Sequence, residues 1–317
     1  MNADALAADH PVVSPAAADP HLQTIARFPV KSLDAEYPET ARLVPSGALF
    51  GDREWAILDR PPEAPYDPTA ADVGGSGDYV NGKKTAAVHR LRSTFHSRED
   101  GGPAVTLRRH DDPVSDARRF RLYDGRTGGN RAGGDAQTEC HADLDAWLSS
   151  YFDRPVSVRW DGGGQHDDRT FHGPTVVSTA TLREVAAWFD ITVESARRRF
   201  RANLEIGGVP PFWEDRLFTD EGRAVAVRVG EATIEGYHPC QRCVVPSRDP
   251  DTGEETAGFR ETFIGRRRET LPPWTDCDRF DHPFRLMVNT RVPEESAGCD
   301  IRVGDAVEIL GDRPVAP

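Results

Sequence analysis

Hydrophobic and polar positions alternate in many short segments of this chain, and most of these segments end at glycine, proline or aspartate. Val225, Val227 and Val229 alternate before a turn, and Ile234 lies in a second segment of the same kind. A period of two is typical of strands that bury one face. We therefore predict many short strands, including residues 104–107, 119–122, 284–289 and 300–310.

Fewer segments repeat with the period of a helix. The first, predicted near residues 141–152 after a glycine-rich loop at 124–139, has an aromatic stripe that we interpret as core. That stripe consists of Leu144, Trp147, Leu148, Tyr151 and Phe152. A capping box from Thr181 to Glu184 predicts a second helix, and Thr192 precedes a third. Strands with few helices predict a β-rich α+β chain.

The length of 317 residues allows two modest domains. We predict a disordered tail at residues 1–20, one domain at 21–160 and another at 161–317. The tail lacks the basic and apolar regions of a signal peptide, and no apolar run approaches a membrane span. Five unpatterned cysteines favour reduced thiols. These features predict a cytoplasmic protein with no membrane partner.

The charge is strongly acidic. The formal net charge is −13, and only 3 lysines (31, 83 and 84) accompany 36 arginines. An acidic surface disfavours nucleic acid as a partner. A lysine-poor, acidic composition also suggests a halophilic host, where salt screens the self-repulsion. A triplet at Arg266–Arg268 is interpreted as a solvated or ion-paired face, with docking of an acidic redox partner as the alternative.

Two thiols three positions apart, Cys240 and Cys243, lie where a predicted strand runs into a loop. They could ligate a metal, act as nucleophile or redox pair, or simply fill a core. Structural zinc is disfavoured because Cys140, Cys277 and Cys299 are isolated. Pro246 and Pro250 argue against the helix of a thioredoxin-like pair. Spacing alone leaves the packing interpretation open.

The motif around these thiols resembles a known family. Residues 239–243 read PCQRC and residues 249–253 read DPDTG, similar to the signature of the MOSC family, the C-terminal domain of molybdenum cofactor sulfurases. Residues 20–312 resemble the group that contains the mitochondrial amidoxime-reducing component and its bacterial relatives. The resemblance implies an N-terminal MOSC-type β-barrel domain and a MOSC β-barrel domain with flanking helices. It also implies the molybdenum cofactor, Mo-molybdopterin, with Cys243 as metal ligand and catalytic residue.

The same resemblance assigns the remaining site residues. Lys31 and Ser32, in the run FPVKS, would hold the pterin phosphate with Arg53. From the residues alone, Lys31 could equally be a solvated strand end, and Arg53 an ordinary surface partner of Asp52. The further predicted cofactor contacts are His172, Thr175, Arg201, Asn203 and Arg242.

Two details of that assignment concern local structure. Arg201 and Asn203 belong to a segment similar to the family's Phe-Arg-Pro-Asn and are predicted to alternate on one strand face. Phe212–Asp215 resembles an acidic-aromatic loop beside the site.

Two functions follow from the resemblance. The first is an oxidoreductase that reduces N-hydroxylated compounds or N-oxides by two-electron oxygen removal from a small-molecule substrate. The alternative is a non-catalytic cofactor carrier or sulfur-transfer module. No aminotransferase-like domain with a pyridoxal lysine is evident before the MOSC part, which counts against a self-contained sulfurase. Neither a ferredoxin-type cysteine pattern nor a dinucleotide fingerprint is evident. We therefore expect a separate electron donor, either a ferredoxin or a flavoprotein.

Overall fold

The computed structural model describes residues 19–64, 78–97, 102–125, 133–164, 173–280 and 282–314. Within these ranges it contains fourteen strands and four α-helices. The strands are β1 (His21–Ile25), β2 (Thr40–Arg42), β3 (Trp55–Leu58), β4 (Leu91–His96), β5 (Ala104–Arg109), β6 (Arg118–Arg121), β7 (Ser157–Trp160), β8 (Val176–Ser178), β9 (Leu204–Gly207), β10 (Arg223–Val229), β11 (Ala232–Gln241), β12 (Arg285–Arg291), β13 (Asp300–Arg302) and β14 (Val307–Pro314). The helices are α1 (Gly133–Phe152), α2 (Thr179–Trp188), α3 (Val193–Phe200) and α4 (Phe259–Glu269). The predicted β-rich α+β class is confirmed.

Seven strands form the largest sheet, in the order β1-β9-β8-β12-β11-β10-β14. Neighbours are antiparallel except β8 and β9, which are parallel. The edge strands of this curled sheet, β1 and β14, approach each other. His21 on β1 forms an antiparallel β-bridge with Ala306, the residue just before β14. Alternating side chains such as Val225, Val227 and Ile234 point into a core that the strands enclose.

The first half of the chain builds a second core. Strands β4, β5 and β6 form an antiparallel sheet, β3 pairs with β7, and α1 packs against β6 and β7. Leu144, Leu148 and Phe152 on α1 meet Val105 and Leu107 there, as the aromatic and aliphatic stripe predicts. The two halves are interleaved, since β1 pairs with β9 and β2 pairs with β13. The boundary near residue 161 stays a prediction.

Two of the local predictions were wrong. Helix α1 begins at Gly133, so the end of the predicted glycine-rich loop is helical. Helix α2 is capped by Ser178, whose hydroxyl accepts from the Thr181 amide at 2.9 Å. Thr181 is the third helical residue, and its hydroxyl instead donates to Glu214 at 2.9 Å. The prediction for α3 is confirmed, because the Thr192 hydroxyl accepts from the Ser195 amide at 3.0 Å.

Candidate functional site: a cationic cleft with two thiols

A cavity of about 250 Å³ lies where the two halves of the chain meet. Segments from both halves line it: the loops before β3 and β8, the end of α3, and the end of β11. Eight of the nine predicted site residues are among its lining residues: Lys31, Ser32, Arg53, Thr175, Arg201, Asn203, Arg242 and Cys243. His172 lies outside the described residues. Side chains up to 212 positions apart in the sequence therefore share one cavity, from Lys31 to Cys243.

The two motif thiols lie at the end of β11, as predicted. Cys240 is the penultimate residue of the strand, and Cys243 follows in the loop before a 3₁₀ turn at Val245–Ser247. Both thiols line the cavity. No α-helix follows them, which agrees with the argument from Pro246. In the described part of the chain no three His, Cys, Asp or Glu side chains converge as a metal site.

Arg242 lies between the two cysteines in sequence and is anchored by three contacts. Its Nη1 atom lies 3.1 Å from Cys240 Sγ and 3.2 Å from Met287 Sδ, and its Nη2 atom donates to the Phe200 carbonyl at 3.0 Å. Its Nε atom is buried and has no hydrogen-bond partner among the described residues. The Arg242 guanidinium therefore lies directly against the Cys240 sulfur.

A bulge in β12 brings Met287 to this point. The register with β11 shifts between Pro239, which pairs with Val288, and Gln241, which pairs with Arg285. Met287 is the extra residue, with a φ of 64° in the left-handed region. Bulges reorient side chains and are frequent next to active sites. This one places the Met287 side chain in the cavity beside Arg242.

Lys31 lies in the cavity instead of at a solvated strand end. Its side chain is only 7% exposed, and its ammonium lies 5.4 Å from the centre of the Tyr79 ring. The Lys31 amide donates to the Trp55 carbonyl at 2.7 Å, which fixes the loop against β3. Ser32, which follows, has a φ of 71°. Left-handed backbone is uncommon for serine and is a form of local strain that concentrates at functional sites.

Arg53 and Arg201 stack on the same aromatic ring. Their guanidinium carbons lie 5.0 Å and 4.1 Å from the centre of the Phe28 ring. Arg53 also forms an ion pair with Asp52. Burial and the neighbouring charge of Arg53 lower the pKa of Arg201 to about 10. The Nη2 atom of Arg201 is buried and has no hydrogen-bond partner among the described residues.

The prediction that Arg201 and Asn203 share a strand face was wrong. Arg201 caps the C-terminus of α3 in the left-handed conformation, with a φ of 58°, and β9 begins only at Leu204. Its amide donates to the Arg197 carbonyl at 2.9 Å, which ends the helix. The left-handed turn, not strand alternation, places both residues in the cavity wall.

Asn203 connects the segments that form the cavity. Its Nδ2 atom donates to the Ala26 carbonyl at 3.1 Å and to Asp52 Oδ2 at 3.2 Å. Its Oδ1 atom accepts from the Thr175 amide at 3.2 Å and the Thr175 hydroxyl at 3.1 Å. Because protein groups already satisfy the amide, its clearest role in this structure is to hold Asp52 and Thr175 in position.

The cleft is strongly cationic although the chain is acidic. Eight cationic side chains and one carboxylate, Asp34, line it; the cations are Lys31, Arg53, Lys83, Arg92, Arg197, Arg198, Arg201 and Arg242. Some of them are ion-paired, as Arg92 is with Asp34 at 2.6 Å. Arg201 and Arg242 form no ion pair with any described residue. A cavity with such a surplus of positive charge favours an anionic ligand.

Sequence reasoning missed several lining residues, of which His89 is the most informative. It lies in a 3₁₀ turn at Ala86–Arg90 and lines the cavity. Burial, together with the charges of Arg201, Arg248 and Arg92, lowers the pKa of His89 to about 4. The imidazole is therefore neutral at neutral pH. Gly82 packs closely against this ring, since a Cβ there would lie 2.5 Å from His89 Nε2. An isolated histidine carries no sequence signal for this position.

Two acidic or basic segments prove to be structural. Glu214 and Asp215 are buried away from the cleft lining, where Glu214 accepts from the Ser178 amide at 3.1 Å. Arg267, the middle residue of the basic triplet, is fully buried and paired with Asp215. The interpretation of Arg266–Arg268 as a solvated or ion-paired face therefore holds for the ion pairing of Arg267 but not for its position, because this residue is buried. Arg266 and Arg268 are exposed.

The fold and site define a β-rich protein with a cationic cleft that contains two thiols. Residues 167–308 match the family model of the MOSC domain. This part of the chain is therefore similar to a MOSC domain, and MOSC domains are associated with proteins that bind the molybdenum cofactor. No curated protein matches the sequence.

Two solved structures are similar over part of their length. A crystal structure described as a hypothetical protein is 15% identical with a TM-score of 0.27, and the match covers 46% of this chain and 56% of that one. The YUAD protein from Bacillus subtilis is 14% identical with a TM-score of 0.24, over 46% of this chain and 67% of that one. None of the described helices is long and apolar enough to cross a membrane.

Proposed function

We propose that this cleft binds the molybdenum cofactor, and that the protein is an oxidoreductase that removes oxygen from N-hydroxylated compounds or N-oxides. The observation that carries the proposal is the convergence of Cys243 with Lys31, Arg53 and Arg201 in one cavity. A soft thiolate suits a molybdenum ion, and ammonium and guanidinium groups suit a phosphate. The reductase part depends on the resemblance to the amidoxime-reducing group.

The residues present fit such an anionic ligand. Arg201 Nη2 and Arg242 Nε are buried donors without a partner among the described residues, and a pterin phosphate offers acceptors for donors of this kind. Lys31 and Ser32 would hold the phosphate with Arg53, and Asn203 would keep Thr175 and Asp52 in place around it. Cys243 would be the protein ligand of the metal.

When bound, the cofactor supplies two-electron redox chemistry at its metal, and the chain supplies binding and orientation. The overall reaction takes an N–OH group, two electrons and two protons to N–H and water. His89 is neutral at neutral pH, so its imidazole would offer a hydrogen bond to a substrate hydroxyl in the cavity. The dense arginine shell would keep the cofactor phosphate from exchanging with solvent anions.

The first test is molybdenum content in protein expressed in a host that makes the cofactor. We expect Cys243→Ala to lose both molybdenum and the reduction of benzamidoxime by reduced methyl viologen. Cys240→Ala should keep most of its molybdenum, and Cys277→Ala is a matched control because Cys277 is exposed and lies outside the cavity lining. Equal metal loss in the Cys240 and Cys243 variants would instead indicate a site with two thiol ligands.

One contact favours the second candidate, a cofactor carrier or sulfur-transfer module. Arg242 Nη1 lies 3.1 Å from Cys240 Sγ and would equally stabilise the anion of a persulfide on that cysteine. The two functions differ in turnover. A molybdenum-loaded protein that binds the cofactor stoichiometrically, yet reduces neither benzamidoxime nor an N-oxide with the dye, would support the carrier.

A further inference from the structure

The outer face of the sheet β4-β5-β6 is basic. Arg92 on β4 lies directly opposite Arg108 on β5, while Arg119 and Arg121 on β6 lie opposite Thr106 and Ala104. Because residues two apart on a strand share a face, these four arginines lie on one side of the sheet. We call them the arginine face. His96 on β4 and Thr106 on β5 occupy positions on the same face. The 2.7 Å contact between His96 Nε2 and Thr106 Oγ1 confirms that their side chains lie on one side of the sheet.

The opposite side of the same sheet is core. Val105, Leu107 and Phe120 are buried there, and the arginine face lies on the other side, where Arg119 and Arg121 are exposed to solvent. None of the outward positions on these three strands carries a carboxylate; they are Arg92, Thr94, His96, Ala104, Thr106, Arg108, Arg119 and Arg121. This is an unusual surface in a chain with a net charge of −13.

The charges of the arginine face are incompletely neutralised. Arg119 and Arg121 are exposed and form no hydrogen bond or ion pair with any described residue. Arg108 Nη1 donates to the carbonyls of Arg109, His110 and Asp112 at 3.0, 2.9 and 3.1 Å, which positions the guanidinium without cancelling its charge.

Only Arg92 has carboxylate partners, Asp34 at 2.6 Å and Asp251 at 3.4 Å. Like charges directly opposite across two strands, such as Arg92 and Arg108, destabilise a sheet. Asp34 and Asp251 offset this repulsion at Arg92, whereas Arg119 and Arg121 have no carboxylate partner among the described residues.

The arginine face is continuous with the cleft. Arg92 belongs to it and also lines the cavity. Two strand spacings, or about 10 Å, separate β4 from β6, so a partner that contacts Arg119 and Arg121 also reaches the cavity rim. Such a footprint matches the small, charge-dominated encounters that are typical of redox partners.

We propose that the arginine face docks a small acidic electron-transfer protein, which delivers electrons one at a time to the group in the cleft. This rests on the proposed reductase function, which consumes two electrons and two protons for each N–OH converted to N–H and water. A long nucleic acid is the less favoured occupant, because the rest of the surface would repel a polyanion along its length. A compact partner touches only the arginine face.

The test compares two double charge reversals of equal charge change. Arg119→Glu with Arg121→Glu alters the arginine face, and Arg266→Glu with Arg268→Glu is the control on exposed arginines of α4. An acidic plant-type [2Fe–2S] ferredoxin is the probe. Its binding to each protein is titrated at low and at high ionic strength, and benzamidoxime reduction is driven either by reduced ferredoxin or by reduced methyl viologen.

We expect the face variant to weaken ferredoxin binding and raise its KM by about tenfold or more at low salt. The control should stay within about twofold, and viologen-driven rates should be unchanged in both. A wild-type protein inactive with viologen would defeat the proposed function, while the titration would still test the docking surface. The proposal would be overturned if the wild type does not bind ferredoxin, or if both double variants weaken ferredoxin binding equally. It would also be overturned if the face variant loses binding to duplex DNA but keeps its binding to ferredoxin.

Discussion

Two arginines of this protein are stacked on a phenylalanine in almost the same way, yet their surroundings differ. The guanidinium carbon of Arg201 lies 4.1 Å from the centre of the Phe28 ring, and that of Arg267 lies 4.2 Å from the centre of the Phe212 ring. Arg267 is fully buried, paired with Asp215, and also lies 5.4 Å from the Phe280 ring. Arg201 forms no ion pair with any described residue, and the neighbouring charge that shifts its pKa most is that of another cation, Arg53.

The difference lies in where the counter-charge comes from. The fold itself supplies an anion to Arg267, so removing either partner leaves a buried charge unpaired. No described carboxylate forms an ion pair with Arg201, which has instead a left-handed backbone. Buried nitrogens with no partner among the described residues occur in both arginines, at Nη2 of Arg201 and at Nε and Nη1 of Arg267, so they do not distinguish the two. A cation held at such cost indicates a site that is completed by a ligand. Burial and stacking alone would have assigned both arginines the same role.

The largest expected difference between Arg267 and Arg201 is in the free energy of unfolding when the side chain is removed. Arg267→Ala should lower the free energy of unfolding by about 3–5 kcal/mol, because Asp215 would remain buried without its partner. Urea unfolding of the cofactor-free protein measures this loss. Arg266→Ala next to it, on the exposed side of α4, should change the value by no more than about 0.5 kcal/mol. A loss below about 1 kcal/mol for Arg267→Ala would mean that the pair is not structural.

The sequence could have indicated Arg267 but could not have placed Arg201. Phe259, Phe263 and Arg267 follow one another at intervals of four, so they share one face of α4, and all three are buried. This helical period was the signal in the sequence that could have predicted the burial of Arg267. The interpretation of the three adjacent arginines as one solvated or ion-paired face concealed it. Arg201 depends on a left-handed cap, which only glycine or asparagine signals reliably in a sequence.

Other parts of the cleft were accessible to sequence reasoning for a physical reason. Lys31 and Cys243 lie in continuous motifs that resemble those of a known family, so they could be named without knowing the fold. His89, Tyr37 and Met287 reach the cavity through a 3₁₀ turn, a loop and a bulge. None of these local features has a strong pattern of hydrophobic positions, and only tertiary packing brings them together.

The second effect concerns the pH dependence of stability and arises from Glu214, which is buried near Asp215 and Arg267. Burial, followed by the neighbouring Asp215, raises the pKa of Glu214 from 4.5 to about 8. Between these two values the folded state holds a proton that the unfolded state releases, so stability falls as the pH rises from about 5 to 8. Glu214→Gln should remove on the order of 2–3 kcal/mol of that decline.

Urea unfolding of wild-type protein and Glu214→Gln at pH 5 and pH 8 provides the comparison. The difference between the two proteins matters, because other groups titrate equally in both. The slopes should differ in the stated direction, with the wild type losing more stability toward pH 8. Parallel slopes would show that Glu214 is ionised in the folded protein and that its contact with Thr181 outweighs its burial.

The third effect should appear in cofactor affinity instead of stability. Arg201→Met removes a buried cation beside Arg53, so the cofactor-free protein should unfold within about 1 kcal/mol of the wild type. Retention of the pterin should fall roughly ten- to a hundredfold, the value of one charged contact to an anion. Molybdenum and pterin per protein after gel filtration measure retention. If the Arg201→Met variant unfolds easily yet keeps its cofactor, Arg201 is a structural residue like Arg267.

The smallest effect concerns the two phenylalanine rings themselves. Phe28→Leu and Phe212→Leu each remove one ring from beneath a guanidinium, and a cation–π contact is worth about 0.5–1 kcal/mol. Both variants should lose a similar amount of stability from packing, up to about 1.5 kcal/mol. Only Phe28→Leu should also weaken cofactor retention, by about two- to fivefold, because the ring orients Arg201 and Arg53 toward the ligand. If Phe212→Leu weakens cofactor retention equally, the packing of Arg267 on Phe212 is coupled to the cleft. The division between a structural arginine and a ligand-binding arginine would then not hold.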